Sequence, residues 1–260
     1  MAPVRVGVAG VRAGSGATGF AAALAWSSAA DRGTMLVDAD GAGGTVGPLL
    51  GIEDSRSLAN VYSPHGIVTS DLERQAITLR SRPRLRVVAG FRDPGRPGSH
   101  TAELLTSAID GLPEELVVVD CGTPLAYPDL VDRVAAARAL GGAFHAVFIV
   151  LRAESDLLEN AVRTLRTLQI PRVRLILVRA AHRRGIQEAW RLLEEALPGC
   201  PVAGEWEWNP ERWAAARAGG EPIHREGIAE ELGLFGPGHI VSRTGGRRSW
   251  PFMRQTEEAP

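Results

Sequence analysis

Val4-Arg5-Val6-Gly7-Val8-Ala9-Gly10-Val11-Arg12-Ala13-Gly14-Ser15-Gly16-Ala17-Thr18-Gly19-Phe20-Ala21-Ala22-Ala23-Leu24-Ala25 carries the decision on the fold. A β-branched apolar run passes through a turn of small residues into an alanine-rich stretch, which reads as strand, loop and helix N-terminus. Glycines at Gly14 and Gly16 let successive backbone N–H groups face one point. The start of the helix adds its partial positive charge, so the loop has the build of an anion cradle.

Working outward, Thr34-Met35-Leu36-Val37-Asp38-Ala39-Asp40 is a second buried strand ending in two carboxylates. Leu116-Val117-Val118-Val119-Asp120-Cys121-Gly122-Thr123-Pro124 is a third, again with a carboxylate at its C-terminal end. Ligands of open α/β sheets bind at that edge of parallel strands. Leu85–Ala89, Ala146–Arg152, Arg174–Val178 and Pro201–Gly204 supply further strands. Between them Glu154–Gln169 carries Leu157, Leu158, Val162, Leu165 and Leu168 at helical spacing, and Gly185–Leu197 is also amphipathic. The pattern predicts an α/β chain with one doubly wound, mostly parallel sheet of about seven strands and helices on both faces. A single domain over residues 1–233 and an Arg/Gly/Pro-rich tail over residues 234–260 are expected.

The phosphate pattern G-x-x-x-x-G-K-[ST] places Lys on the β- and γ-phosphates and a hydroxyl on Mg²⁺. Gly16-Ala17-Thr18 stands where Gly-Lys-Thr belongs, so the hydroxyl is kept and the charge is lost. Arg12-Ala13-Gly14-Ser15-Gly16-Ala17-Thr18-Gly19 resembles the deviant Walker A loop K-G-G-x-G-K-T-T of the ParA/MinD family of P-loop ATPases. Arg stands for its first Lys and Ala for its second. Degenerate loops of this kind are similar to those of CpaE/TadZ-like proteins of Tad (Flp) pilus assembly in actinobacteria.

The resemblance implies roles residue by residue. Gly14, Ser15, Gly16, Ala17, Thr18, Gly19 and Gly122 would surround the nucleotide, with Gly122 near the γ-phosphate. Thr18, Asp38 and Asp120 would serve Mg²⁺, the two carboxylates through water. Asp40 would orient the attacking water, and Arg12 would take the place of the Lys that crosses to the partner subunit. The cofactors implied are ATP and Mg²⁺, weakly bound, and the partner implied is a second copy across the nucleotide face. The family commonly ends a later strand in Asn-Arg, the Asn reading adenine. Val178-Arg179 stands there instead, which puts base recognition in doubt. Gly41–Ile52 is similar to the family's switch segment, and Ser57–Val61 to the short helix after it.

Composition narrows the rest. The 260 residues suffice for one large core, and a net charge of -1 gives no global pull toward nucleic acid. All 29 basic residues are Arg, which excludes Schiff-base chemistry and lysine-dependent phosphate transfer. No apolar run reaches the length of a membrane span, and two cysteines make no disulfide framework. A cytoplasmic protein, recruited to the membrane or cell pole, is expected. Arg80, Arg82, Arg84 and Arg86 alternate through a strand, either as the charged approach to an edge strand or, with Arg92 and Arg96, as a patch for acidic lipid or nucleic acid. Trp206, Trp208 and Trp213 read as core and lid packing or as a stacking face for adenine. Arg247–Arg254, interrupted by Pro251, reads as an unstructured tail or as a peptide that docks or touches membrane. Three functions stay open: a pseudo-ATPase positioning or assembly factor for a pilus or secretion machine, a slow Mg-ATPase of partition or septum-site type, and a structural subunit that binds no nucleotide.

Overall fold

The computed structural model describes residues 3–41, 43–52, 55–63, 66–91, 101–127, 129–180, 183–208, 210–222 and 227–235. Eight strands form one sheet: β1 Val4–Gly10, β2 Thr34–Asp38, β3 Ile77–Leu79, β4 Arg82–Val88, β5 Leu116–Asp120, β6 Ala146–Arg152, β7 Val173–Ala180 and β8 Val202–Trp208. Their order is β3-β4-β2-β5-β1-β6-β7-β8. Every pairing is parallel except that of β3 with β4. The helices are α1 Ala17–Ser28, α2 Val46–Leu49, α3 Thr69–Gln75, α4 Thr101–Asp110, α5 Leu130–Ala143, α6 Ser155–Leu168, α7 Arg183–Ala196, α8 Pro210–Gly219 and α9 Ile228–Glu231.

Period-two alternation along the buried strands separates two cores. Val4, Val6, Val8, Leu36, Val118, Phe148 and Ile176 pack on one face with α1, α2 and α9. Met35, Val37, Val117, Val119, Ile149 and Leu177 pack on the other with α3 to α7. The sheet is therefore doubly wound. Helix α1 shows no polar face because it has none to show: all but Thr18 of its twelve residues are buried. Its alanines let it lie close against the sheet, and Phe20 fills the wider gap edge-on to Phe148 and Trp206. Gly7 is required on the opposite face, since a Cβ there would stand 2.6 Å from the Phe144 ring.

Three expectations change. An eighth strand, the three-residue antiparallel β3, lies at the sheet edge, so the arginine-rich strand β4 is interior to it. The arginines of β4 are engaged: Arg82 Nε donates to Trp26 O at 2.9 Å, Arg84 to Ala30 O at 3.4 Å, and Arg86 to Glu114 Oε1 at 2.6 Å. Trp206 and Trp208 belong to β8 and do not lie in a loop after it; Trp206 is buried against Phe20. The strand that begins at Thr34 ends at Asp38, leaving Asp40 in the turn beyond it. Leu234 is buried in the core beside α9. Arg92, Arg96 and the Arg247–Arg254 segment lie outside the described residues. No helix among the described residues is long and apolar enough to cross a membrane.

Candidate nucleotide and metal site

The site residues come from the ends of three neighbouring strands, β2, β5 and β1. Register places Asp38 beside Asp120 and Val8 beside Asp120, so the two carboxylates and the loop after β1 emerge at one edge.

The loop turns on two glycines in the left-handed region, Gly14 at φ 75° and Gly16 at φ 94°. Gly16 is the N-cap of α1, and no side chain caps the helix. The first-turn N–H groups thus face the loop mouth, the arrangement that binds phosphate. Ser15 is buried against Gly10, where a Cβ would stand 2.1 Å from the Ser15 hydroxyl, and its N–H closes the loop onto Arg12 O at 3.3 Å. Ala17 is buried at the first position of α1. Val178 packs beneath the loop, with one methyl carbon 3.3 Å from where a Gly16 Cβ would be. That side chain supports the loop from the core and offers no polar group to a base. Arg12 is exposed at the loop's rim, beside a cavity of about 280 Å³ lined also by Val11, Leu157, Asn160, Ala161 and Thr164.

Asp38 is fully buried and accepts two backbone N–H bonds, from Asp40 at 3.2 Å and from Val46 at 2.9 Å. The second bond ties the N-terminus of α2 to the site. Glycines make room for this carboxylate: a Cβ on Gly90 would stand 2.6 Å from Asp38 Cγ, and one on Gly44 would stand 2.7 Å from its Oδ2. Asp120 is also fully buried; its Oδ1 accepts from Gly122 N at 3.1 Å, and its Oδ2 has no hydrogen-bond partner. Burial drives the Asp38 carboxyl far above its ordinary value, and the Asp120 charge adds to the shift. Burial raises Asp120 too, opposed by hydrogen bonds from Thr18 and Gly122 N–H. The Thr18 hydroxyl, in turn, accepts from the Thr45 hydroxyl at 3.3 Å. Asp40 lies over the Gly122 backbone, where a Cβ would come within 2.3 Å of its carboxyl carbon. Tyr127 stands close enough to Asp40 that its hydroxyl pKa is raised, first by burial and then by that charge. Cys121 is buried, its thiol pushed up by burial and by Asp120, and it packs as a small apolar residue.

These groups fit a magnesium ion. Asp120 Oδ2 is a buried acceptor with no partner, and a hydroxyl stands beside the carboxylate. Mg²⁺ is held by one or two protein groups and completed by water and phosphate oxygens, and Thr18 and Asp120 are groups of that kind. A phosphate chain fits the loop in shape, but no ammonium reaches into it.

No protein-family model matches the chain, and no curated protein does. Solved structures do match. A ParA-family ATPase from Chlorobium tepidum TLS superposes with a TM-score of 0.64 at 18% identity, over 85% of this chain and 92% of its own. The MinD cell-division ATPase of Pyrococcus furiosus gives 0.62 at 17% over 85% and 90%. The septum-site-determining MinD of Pyrococcus horikoshii, solved with Mg-ADP, gives 0.60 at 18% over 85% and 87%. The fold is that of the ParA/MinD ATPases. At these identities the likeness concerns the fold, and the site must be judged on its own residues. Within that ParA/MinD frame, Asp38, Asp40, Asp120, Gly122 and the Gly14–Gly19 loop lie at one edge of the sheet, with Arg12 exposed at the rim of the loop. Three contributors were not singled out: Thr45, Gly90 and Tyr127. Gly90 had a signal, a glycine closing an apolar strand at the ligand edge. Thr45 lay in the Gly41–Ile52 segment marked by the resemblance but without a role there, and Tyr127 had no signal, being brought in by loop geometry alone.

Proposed function

We propose that this chain is a nucleotide-binding pseudo-ATPase that works as a positioning or assembly factor through a dimer surface and protein partners. The observation that carries the reading is the pairing of Ala17, buried at the first position of α1, with an intact Thr18–Asp120 metal position beside it. Such a site keeps the backbone cradle and the metal ligands. It lacks the cation that spreads the charge developing on a transferred phosphoryl group. Mg²⁺ bound there would neutralise phosphate charge; Thr18 and Asp120 would hold it, Asp38 would fix the N-terminus of α2, and Asp40 would face a water. The resemblance of Arg12–Gly19 and of Asp38-Ala39-Asp40 to CpaE/TadZ-like proteins favours a pilus or secretion machine as the structure served. The partition and cell-division names of the similar structures favour positioning in the broader sense.

A second reading is a slow Mg-ATPase. Its support is Arg12, a cation kept at the loop's rim, together with Asp40 held against Gly122. Calorimetry and phosphate release on the full chain separate the readings. Weak binding of Mg-ATP without release above background is expected. Robust hydrolysis lost in Asp40→Ala would make the slow ATPase correct, and no heat with no thermal shift at millimolar nucleotide would mark a structural subunit.

A further inference from the structure

The loop after β1 has a second side. Val11 packs against the core that holds α3 to α7, whereas Ala17 and α1 belong to the other core. The phosphate cradle and the Val11–Arg12 turn therefore lie toward opposite faces of the sheet. On the Val11 side, the loop and α6 enclose the cavity of about 280 Å³. Its α6 wall is a stripe at helical spacing, Leu157, Ala161 and Thr164, with Asn160, which has a partner of its own, beside it. Arg12 stands at the rim, exposed and without an acidic partner among the described residues. The strand order β5-β1-β6 sets this loop between the helices that follow β5 and β6, and α5 and α6 pack together. Helix α5 opens with Leu130 and Val131, two of the three large apolar side chains exposed among the described residues. In its first turn Arg133 buries Nε with no hydrogen-bond partner. The carboxylates of that turn are taken: Asp129 accepts from Val131 N at 2.7 Å, and Asp132 is engaged too. Exposed apolar surface gathered at one place marks an interaction site, and here it is bounded by cations that lack a counter-charge.

We propose that this face docks a short acidic segment of a partner protein, with one aliphatic side chain in the cavity and a carboxylate on Arg12. The proposal rests on the reading that the chain works through protein partners, and it gives that partner its chemistry. Charge complementarity selects the acidic residues, and the walls of Val11, Leu157 and Ala161 select the aliphatic one. Leu130 and Val131 extend the contact past the cavity, where a small molecule would leave them uncovered. A nucleic-acid groove would carry a row of cations and no apolar floor. Arg12 is shared with the contact across the nucleotide face, so the deciding variants lie on α6.

The test is a random dodecapeptide library panned on the full-length chain without nucleotide, with the enriched peptides then measured by fluorescence polarisation. Enriched sequences should carry an aliphatic residue flanked by Asp or Glu. Thr164→Glu places a carboxylate in the same cavity as Arg12 and should weaken binding about tenfold or more. Leu157→Ala thins the apolar wall and should weaken it by about tenfold. Arg80→Glu, a charge reversal between β3 and β4 at the far edge of the sheet, should leave it unchanged. Circular dichroism confirms that each variant is folded, and Leu157→Ala decides alone should Thr164→Glu fail to fold. No enrichment, an enriched pool without acidic bias, or binding unaltered in a folded α6 variant overturns the proposal. So does binding of phosphatidylserine vesicles, of duplex DNA or of a second copy of the chain, in place of peptide, that is lost in Leu157→Ala. Mg-ATP titrations of the same protein keep the two ideas apart. Nucleotide bound with no peptide selected sinks the docking face alone, and peptide bound with no affinity for nucleotide sinks the nucleotide half of the earlier reading alone.

Discussion

Ala17 shows how much one side chain decides. Its backbone opens α1 as a lysine's would, and its methyl group is buried where the loop meets the core. A charged hydrogen bond to phosphate contributes about 1.5–3 kcal/mol, so Ala17→Lys is expected to raise ATP affinity roughly 10- to 150-fold, read by calorimetry. An unchanged affinity would mean that the loop does not hold phosphate. A pH effect belongs to the same scale. Asp38 is raised from 3.8 to about 8, by burial first and by Asp120 second. A carboxyl raised on folding stabilises the native state while protonated, and that stability is lost as pH rises through the folded value. The metal-free protein should therefore melt at lower temperature at about pH 8 than at about pH 5. Asp120→Asn removes the repelling charge and should flatten the slope; melting curves that rise with pH would contradict the shift. The site residues were legible because each closes an apolar run: Asp38 ends β2, Asp120 ends β5, and the glycine loop follows β1. Gly90 likewise follows an apolar run, β4, and went unassigned, whereas Thr45 and Tyr127 reach the site through tertiary placement, which local pattern does not encode.

Among the elements, β4 repays attention because its arginines read one way along the chain and behave another in space. Arg82 and Arg84 close the C-terminal end of α1, donating to Trp26 O and Ala30 O where the helix leaves carbonyls unsatisfied. Arg86 pairs with Glu114, whose carboxylate is buried and whose second oxygen has no partner. Their alternation had suggested an edge, and β3 is what defeated that reading. Three residues, Ile77–Leu79, are too few for a period-two signal, yet they cap the sheet. The unequal settings give unequal expectations. Arg86→Ala removes the ion-pair partner of buried Glu114 and should destabilise by about 1–3 kcal/mol, below the full cost of breaking a buried pair because Arg86 is partly exposed and Arg5 still faces Glu114. Arg84→Ala removes one long bond at the surface and should cost no more than about 0.5 kcal/mol. Urea melts of the two variants measure the difference; equal losses would show that Glu114 is not held by Arg86. β8 was under-read for a related reason: Glu205 and Glu207 break its apolar run, although Trp206 between them turns into the core.

At the scale of the whole molecule, the strand order gathers every site segment onto three adjacent central strands and leaves Arg12 on the outside of that edge. The wound sheet was readable from seven apolar runs separated by helices; the placement of one exposed arginine relative to a partner was not, since a single sequence carries no trace of a second copy. An arginine exposed at the rim of the loop is placed where a phosphate held by a second subunit could meet it. Its planar guanidinium suits phosphate oxygens in two-pronged fashion. If Arg12 works in trans, Mg-ATP should convert monomer to dimer, and Arg12→Ala should lose that conversion while keeping the weak affinity of the monomer's own cradle. Losing a charged contact of this kind corresponds to about ten- to 150-fold in the nucleotide-linked association constant. Sedimentation velocity with and without Mg-ATP reads the first effect, and calorimetry of the variant reads the second. A variant that dimerises as well as the parent would place Arg12 outside the interface. One that loses nucleotide affinity altogether in the monomer would show that Arg12 folds back and serves its own loop.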